Sequence, residues 1–195
     1  MTIQTSTKKT NNWMRGTLAA IAISAASSTI AKADYHSFDA TIGTDSPSSQ
    51  IRLIDTVKVG DVIFDGFNQA TTKSYFGDNT LYGNTTLAPL VKLLSSQDSI
   101  GKLVPGIRLS LPNASLDVGY LDGGIHTKLK AWRHFADLDW YVTHITNAAP
   151  RQKPYSLTEF EATRMVSKHA GILGRATWTN FGGKPKLELG VKYCY

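Results

Sequence analysis

The sequence predicts an all-β protein, an antiparallel up-and-down β-barrel of about eight strands. Three observations carry that expectation. The last nine residues alternate strictly: Leu187, Leu189, Val191, Tyr193 and Tyr195 share one strand face, and Glu188, Gly190, Lys192 and Cys194 share the other. Cys194 is the one cysteine, so no intrachain disulfide holds the fold, and a core or a closed sheet must do so. No stretch after Ala33 approaches the roughly 18 apolar residues of a membrane-spanning helix. If the folded chain lives in a membrane, it does so as a barrel.

Residues 1–33 read as a cleaved signal peptide. Lys8, Lys9 and Arg15 make a basic start, Gly16 to Ile30 is apolar and uncharged, and Ala31-Lys32-Ala33 offers the small residues of a cleavage site. The remaining 34–195 form a single domain beginning at Asp34. Four of the 21 basic residues leave with the leader, so 17 basic stand against 15 acidic residues and the net charge falls from +6 to +2. A nucleic-acid partner is thereby disfavoured.

Residues 34–44 suit a first strand, with Phe38, Ala40 and Ile42 on one side. Ser46 to Ser49 reads as a turn. Ile51, Leu53, Val57 and Val59 share a parity that changes by Val62 and Phe64, which predicts a turn or bulge at Gly60-Asp61. Residues 66–86 are rich in Gly, Asn, Thr and aromatics and read as loop or weakly patterned strand. Over 87–103, Leu87, Leu90, Val91 and Leu94 recur at helical spacing around Pro89, so a short helix and an irregular strand compete.

The pattern sharpens beyond residue 105. Ile107, Leu109 and Leu111 alternate with Arg108 and Ser110, and Leu116, Val118 and Tyr120 resume after Pro112-Asn113. A tight turn at Gly123-Gly124 leads to Ile125, Thr127, Leu129 and Ala131 against His126, Lys128 and Lys130. A turn at 135–137 precedes Leu138, Trp140 and Val142, and a polar loop covers 146–156. Residues 158–168 fit neither period cleanly because Arg164 falls among apolar positions. A last hairpin joins 171–179 to 187–195. This order places the loops at 121–124, 146–157 and 180–186 on one rim, and the turns near 135–137 and 169–171 on the other.

The C-terminal strand, apolar on one face and closing on Tyr193 and Tyr195, resembles the strand by which Gram-negative outer-membrane β-barrels are recognised and inserted. With the leader, it makes the chain look like the small OmpA/OmpX-type barrels. That resemblance implies residence in the outer membrane, with membrane lipid and the barrel-assembly machinery as partners and Leu187, Leu189, Val191, Tyr193 and Tyr195 as the insertion strand. A filled barrel of eight strands has no wide pore, so the expected role is envelope scaffold or surface interaction.

In this orientation His126, Lys128, Lys130, His134, Asp139, Glu188 and Lys192, with Asp117, would form a charged lumen. Trp132, Trp140, Trp178, Tyr141, Tyr193 and Tyr195 would sit in interface girdles. The opposite orientation gives a periplasmic or secreted lipocalin-like carrier of a lipid or haem. No G-x-S-x-G, H-E-x-x-H, P-loop or zinc-spaced Cys/His cluster is present, so no catalytic residue, metal ligand or resident cofactor is assigned. An outer-membrane lipid-modifying enzyme is the third reading; it lacks a His-x-Ser pair. Arg133 and Arg164 set a condition on any membrane reading, since at mid-bilayer each would cost about 2–4 kcal/mol. They must lie near the rims.

Overall fold

The computed structural model describes residues 33–43, 49–71, 74–96, 99–150 and 152–195. Apart from Ala33, which opens the first strand, the leader lies outside them, as does most of the turn expected at 46–49. Twelve strands follow in order: β1 (Ala33–Gly43), β2 (Ser49–Val59), β3 (Val62–Thr71), β4 (Tyr75–Gly83), β5 (Leu87–Ser96) and β6 (Ser99–Leu111), then β7 (Ala114–Leu121), β8 (Gly124–Phe135), β9 (Leu138–Ala148), β10 (Tyr155–Met165), β11 (Ala170–Thr179) and β12 (Lys186–Cys194). Each pairs antiparallel with its sequence neighbours, and β1 pairs with β12, so the sheet closes with no free edge.

The expected count of about eight is therefore corrected to twelve. The gain comes from the first half of the chain. Residues 66–86 contain the end of β3 and all of β4, and 87–103 holds β5 and the start of β6 rather than a helix. The helical spacing arose because β5 is apolar on both faces: Leu87, Val91 and Leu93 are exposed outside while Ala88 and Leu90 are buried inside. Pro89 and Pro105 stand in the paired β5–β6 register, opposite Ile107 and Val91, without ending it. Residues 155–165 are a strand, with Arg164 at its next-to-last position.

Turn chemistry sets the hairpins. Asp122-Gly123 (φ 51° and 82°) and Ala136-Asp137 (φ 53° and 60°) are two-residue turns with left-handed residues, whose twist matches that of paired strands. The rims divide as the strand order requires. Loops 121–124, 149–154 and 180–185 lie at the end opposite the termini, and turns 136–137 and 166–169 lie at the terminal end.

Side chains are distributed in the inverse of a soluble protein. Leu189 and Val191 are 67% and 59% exposed, whereas Lys92, Asp117 and Arg108 are 0%, 1% and 2% exposed. Apolar groups face out and charges face in, the arrangement of a barrel standing in lipid and the reverse of a lipocalin. Two bands of outward aromatics border the apolar wall: Phe135, Trp140, Tyr193 and Tyr195 towards the terminal rim, Tyr120 and Trp178 towards the other. Trp132 and Tyr141 leave the expected girdle, because both line the lumen. Arg133 and Arg164 sit close to the terminal ends of β8 and β10, where an outward cation reaches the interface.

Candidate functional site: the charged lumen

Period-two alternation in twelve strands delivers a polar row from each strand to one interior, and long-range ion pairing organises it. Around the β10–β12, β1 and β2 wall the hub is Arg175. Its guanidinium donates to Glu161 (2.6 Å), Asp39 (3.0 Å) and Glu188 (3.3 Å), with Glu159 at 3.7 Å. Lys192 donates to Glu161 at 3.0 Å and Lys186 pairs with Glu188 at 2.6 Å. Four cations, with Arg52, meet four carboxylates here.

On the β3–β8 wall the charges run as a chain. Asp65 accepts from Arg108 at 2.7 Å, and Arg108 is bidentate on Asp117 (2.5 and 2.9 Å). Lys92 joins Asp117 at 2.7 Å and reaches towards Asp78 at 3.9 Å, and Lys128 binds Asp78. Aromatic rings cover several of the cations. Tyr82 lies 3.8 Å from the Arg108 guanidinium, Phe67 lies 5.2 Å from that of Arg52, and Tyr141 lies 5.0 Å from the Lys192 ammonium.

Two cavities occupy the interior. The larger, about 740 Å³, opens towards the terminal rim past Tyr82 and Trp132. The smaller, about 340 Å³, opens towards the other rim past Phe76 and Tyr155. They adjoin at a waist whose residues line both: Arg52, Phe67, Asp78, Lys128, Lys130, Thr143 and Glu159. Two ion pairs cross this waist as chords rather than running along the wall. Arg52 of β2 is bidentate on Glu159 of β10 (2.6 and 2.7 Å), and Lys128 of β8 meets Asp78 of β4. In the ring β2 and β10, like β4 and β8, are separated by three intervening strands. Among the described residues, Lys130 is the one lining cation of the waist with no ion pair.

Of the lumen residues proposed from sequence, Lys128, Lys130, Glu188 and Lys192 line the cavities and the first three reach the smaller one. His126 is buried there against Asn147 at 2.5 Å. His134 and Asp139 pair with each other at 2.8 Å but stand exposed at the terminal rim, outside the networks. Cys194 faces inward, its sulfur 3.8 Å from the Tyr35 hydroxyl. Sequence reading missed the hub Arg175 and its partners Asp39, Glu159 and Glu161, and also Arg52, Asp65, Asp78 and Lys92. Arg108 offered a signal, as the cation alternating between Ile107 and Leu109. Among the described residues no three His, Cys, Asp or Glu side chains converge as a metal ion requires.

Neither a protein-family model nor a curated protein matches the chain. Solved structures do. The KdgM porin superposes with a TM-score of 0.55 at 10% identity, covering 82% of this chain and 98% of the porin. The chain shares the fold of that barrel. A second solved structure, the KdgM porin in complex with disordered oligogalacturonate, gives a TM-score of 0.54 at 11% identity over 82% and 98% of the two chains. The likeness supports an outer-membrane barrel of twelve strands in place of the OmpA/OmpX-sized one.

Proposed function

We propose that the protein is an outer-membrane channel for small polar solutes, with a preference for anions such as acidic saccharides. The observation that carries this reading is the waist, where both cavities share an ammonium, Lys130, that stands outside the close ion pairs, with Asp65 and Asp78 acting on it only through space. A cation left outside the close ion pairs at a constriction raises the local concentration of anions and biases the sign of what passes. The aromatic rings Tyr82, Phe67, Phe76 and Tyr155, spaced from one cavity to the other, suit the apolar faces of sugar rings, and their hydroxylated neighbours suit the sugar hydroxyls. The structural neighbour solved with oligogalacturonate, an acidic saccharide, supports the same ligand class.

The earlier expectation of no wide pore rested on an eight-stranded barrel filled by its side chains, and twelve strands remove that premise. The two chord ion pairs favour a second reading, a scaffold barrel whose waist stays shut. Planar-bilayer recordings separate the two. A channel gives discrete conductance steps with an anion-selective reversal potential in a salt gradient, and Lys130→Glu turns the selectivity towards cations. An inserted barrel that passes no current overturns the channel reading in favour of the scaffold.

A further inference from the structure

A histidine costs more than an apolar side chain to keep on a lipid-facing wall, and the barrel keeps one on β9, the third strand from β12. In the pairing of β8 with β9, Leu129 stands opposite His144 and Thr127 opposite Thr146; in that of β9 with β10, Thr158 stands opposite His144 and Ser156 opposite Thr146. Leu129 is exposed on the outside of the barrel, so His144, Thr146, Ser156 and Thr158 share the outer face, and all four are half-buried there. The His144 ring is held at both nitrogens: Nδ1 lies 2.9 Å from the Thr158 hydroxyl, and Nε2 lies 3.0 Å from the Thr146 hydroxyl. An ionisable group on a membrane wall marks function by default, since an apolar residue would be cheaper.

The geometry points to a Thr146–His144–Thr158 relay that hydrolyses the acyl esters of membrane lipids. A neutral imidazole has one donor and one acceptor nitrogen. With Nδ1–H donating to Thr158, Nε2 accepts the Thr146 proton, which gives a nucleophile, a general base and an orienting group in hydrogen-bond sequence. Thr127 and Ser156 flank Thr146 on the two adjacent strands, so hydroxyl donors stand on either side of the attack position. Depth selects the bond attacked. The row Leu129, His144, Thr158 and Trp178 is the last before the hydroxyl row of Thr127, Thr146 and Ser156 near the rim opposite the termini. Trp178, an outward aromatic of the band at this rim, shares the row of His144, and such rings sit at the headgroup level beside the lipid ester groups.

In the first step the Thr146 oxygen bonds to the ester carbonyl carbon while its proton passes to Nε2. The oxyanion then collapses, the carbon–alkoxide bond breaks, and the leaving alkoxide takes the proton from Nε2. Interfacial water, deprotonated in turn by Nε2, attacks the acyl-threonine and releases a fatty acid and the free hydroxyl. Ester and water become acid and alcohol, with no other reactant.

The test is fatty-acid release, followed by mass spectrometry, from the folded barrel in mixed micelles carrying either a diacyl phospholipid or a lipopolysaccharide. The two lipid arms identify which ester source is used. Release that falls at least about 100-fold in Thr146→Val and in His144→Asn, and persists in Thr146→Ser, supports the relay. Thr158→Val tests the positioning role: it lowers kcat with KM unchanged and shifts the pH profile, and Thr158→Ser restores both. Each variant is checked for the band shift on boiling. Because a variant can fail to fold, the wild-type barrel is also treated with a lipid fluorophosphonate, and the adduct is expected on Thr146. No release from either lipid by the folded wild type, release unchanged in both variants, or labelling elsewhere overturns the proposal.

Discussion

The two halves of the lumen wall solve the same problem, how to keep charge inside a barrel, in different ways. By the seam a single guanidinium, Arg175, gathers three carboxylates within 3.3 Å from β1, β10 and β12. On the opposite wall the charges form a linear series, Asp65–Arg108–Asp117–Lys92–Asp78–Lys128, in which each member touches at most two others. A hub concentrates stability in one residue and ties together strands that meet last. A chain distributes it and leaves room beside it for a cation outside the close ion pairs, which is where Lys130 stands. Under the proposed channel reading, structure and selectivity are thus lodged in different halves of the ring.

The largest expected effect follows from the hub. Arg175→Met leaves Asp39, Glu161 and Glu188 crowded in an interior where the Arg175 side chain was fully buried, and should cost about 3–5 kcal/mol. The folded, heat-modifiable band should then be lost at a markedly lower temperature than in wild type. Arg108→Met cuts the chain at one place, with Asp117 still held by Lys92, so the cost should stay near the lower end of that range, about 3 kcal/mol. Equal losses for the two variants would erase the distinction between hub and chain. The smallest effect belongs to Lys102→Met. Its partner Asp122 and Lys102 itself are about half exposed at the rim, and breaking such a pair costs about 0.2–1 kcal/mol by the same thermal assay.

What the sequence made legible was what depends on one strand at a time. The alternation of 187–195, 125–131 and 138–143 gave those strands, the parity of their faces and the assignment of loops to rims. The strand count failed where a strand mixes its faces. In β4 the outward row Tyr75, Gly77 and Asn79 is no more apolar than the inward Phe76, Asp78 and Thr80, and in β5 the inward row, Lys92 apart, is as apolar as the outward one. Period two then vanishes from the sequence although the backbone keeps it. The networks were hidden for another reason: Arg175 meets Asp39 across 136 residues, and Arg52 meets Glu159 across 107. Nothing local announces such partners, so only the isolated charges of β7, β8, β9 and β12 could be proposed as lumen residues.

The seam has a consequence for time rather than for shape. The Tyr195 ring stacks on His36 at 5.3 Å, its N–H donates to the His36 carbonyl, and His36 in turn holds Asp55 of β2 at 2.5 Å. Beside it, Gly190 admits the β1 backbone so closely that a Cβ there would lie 2.1 Å from the Ala40 oxygen. These contacts join the first strand to the last, so they form only after every intervening strand exists. A chain that stops short leaves the hydrogen-bonding edge of β1 open in lipid, the one place where nothing else can satisfy it. The stacking of Tyr195 on His36 therefore belongs to the last step of assembly, in which the sheet closes on itself.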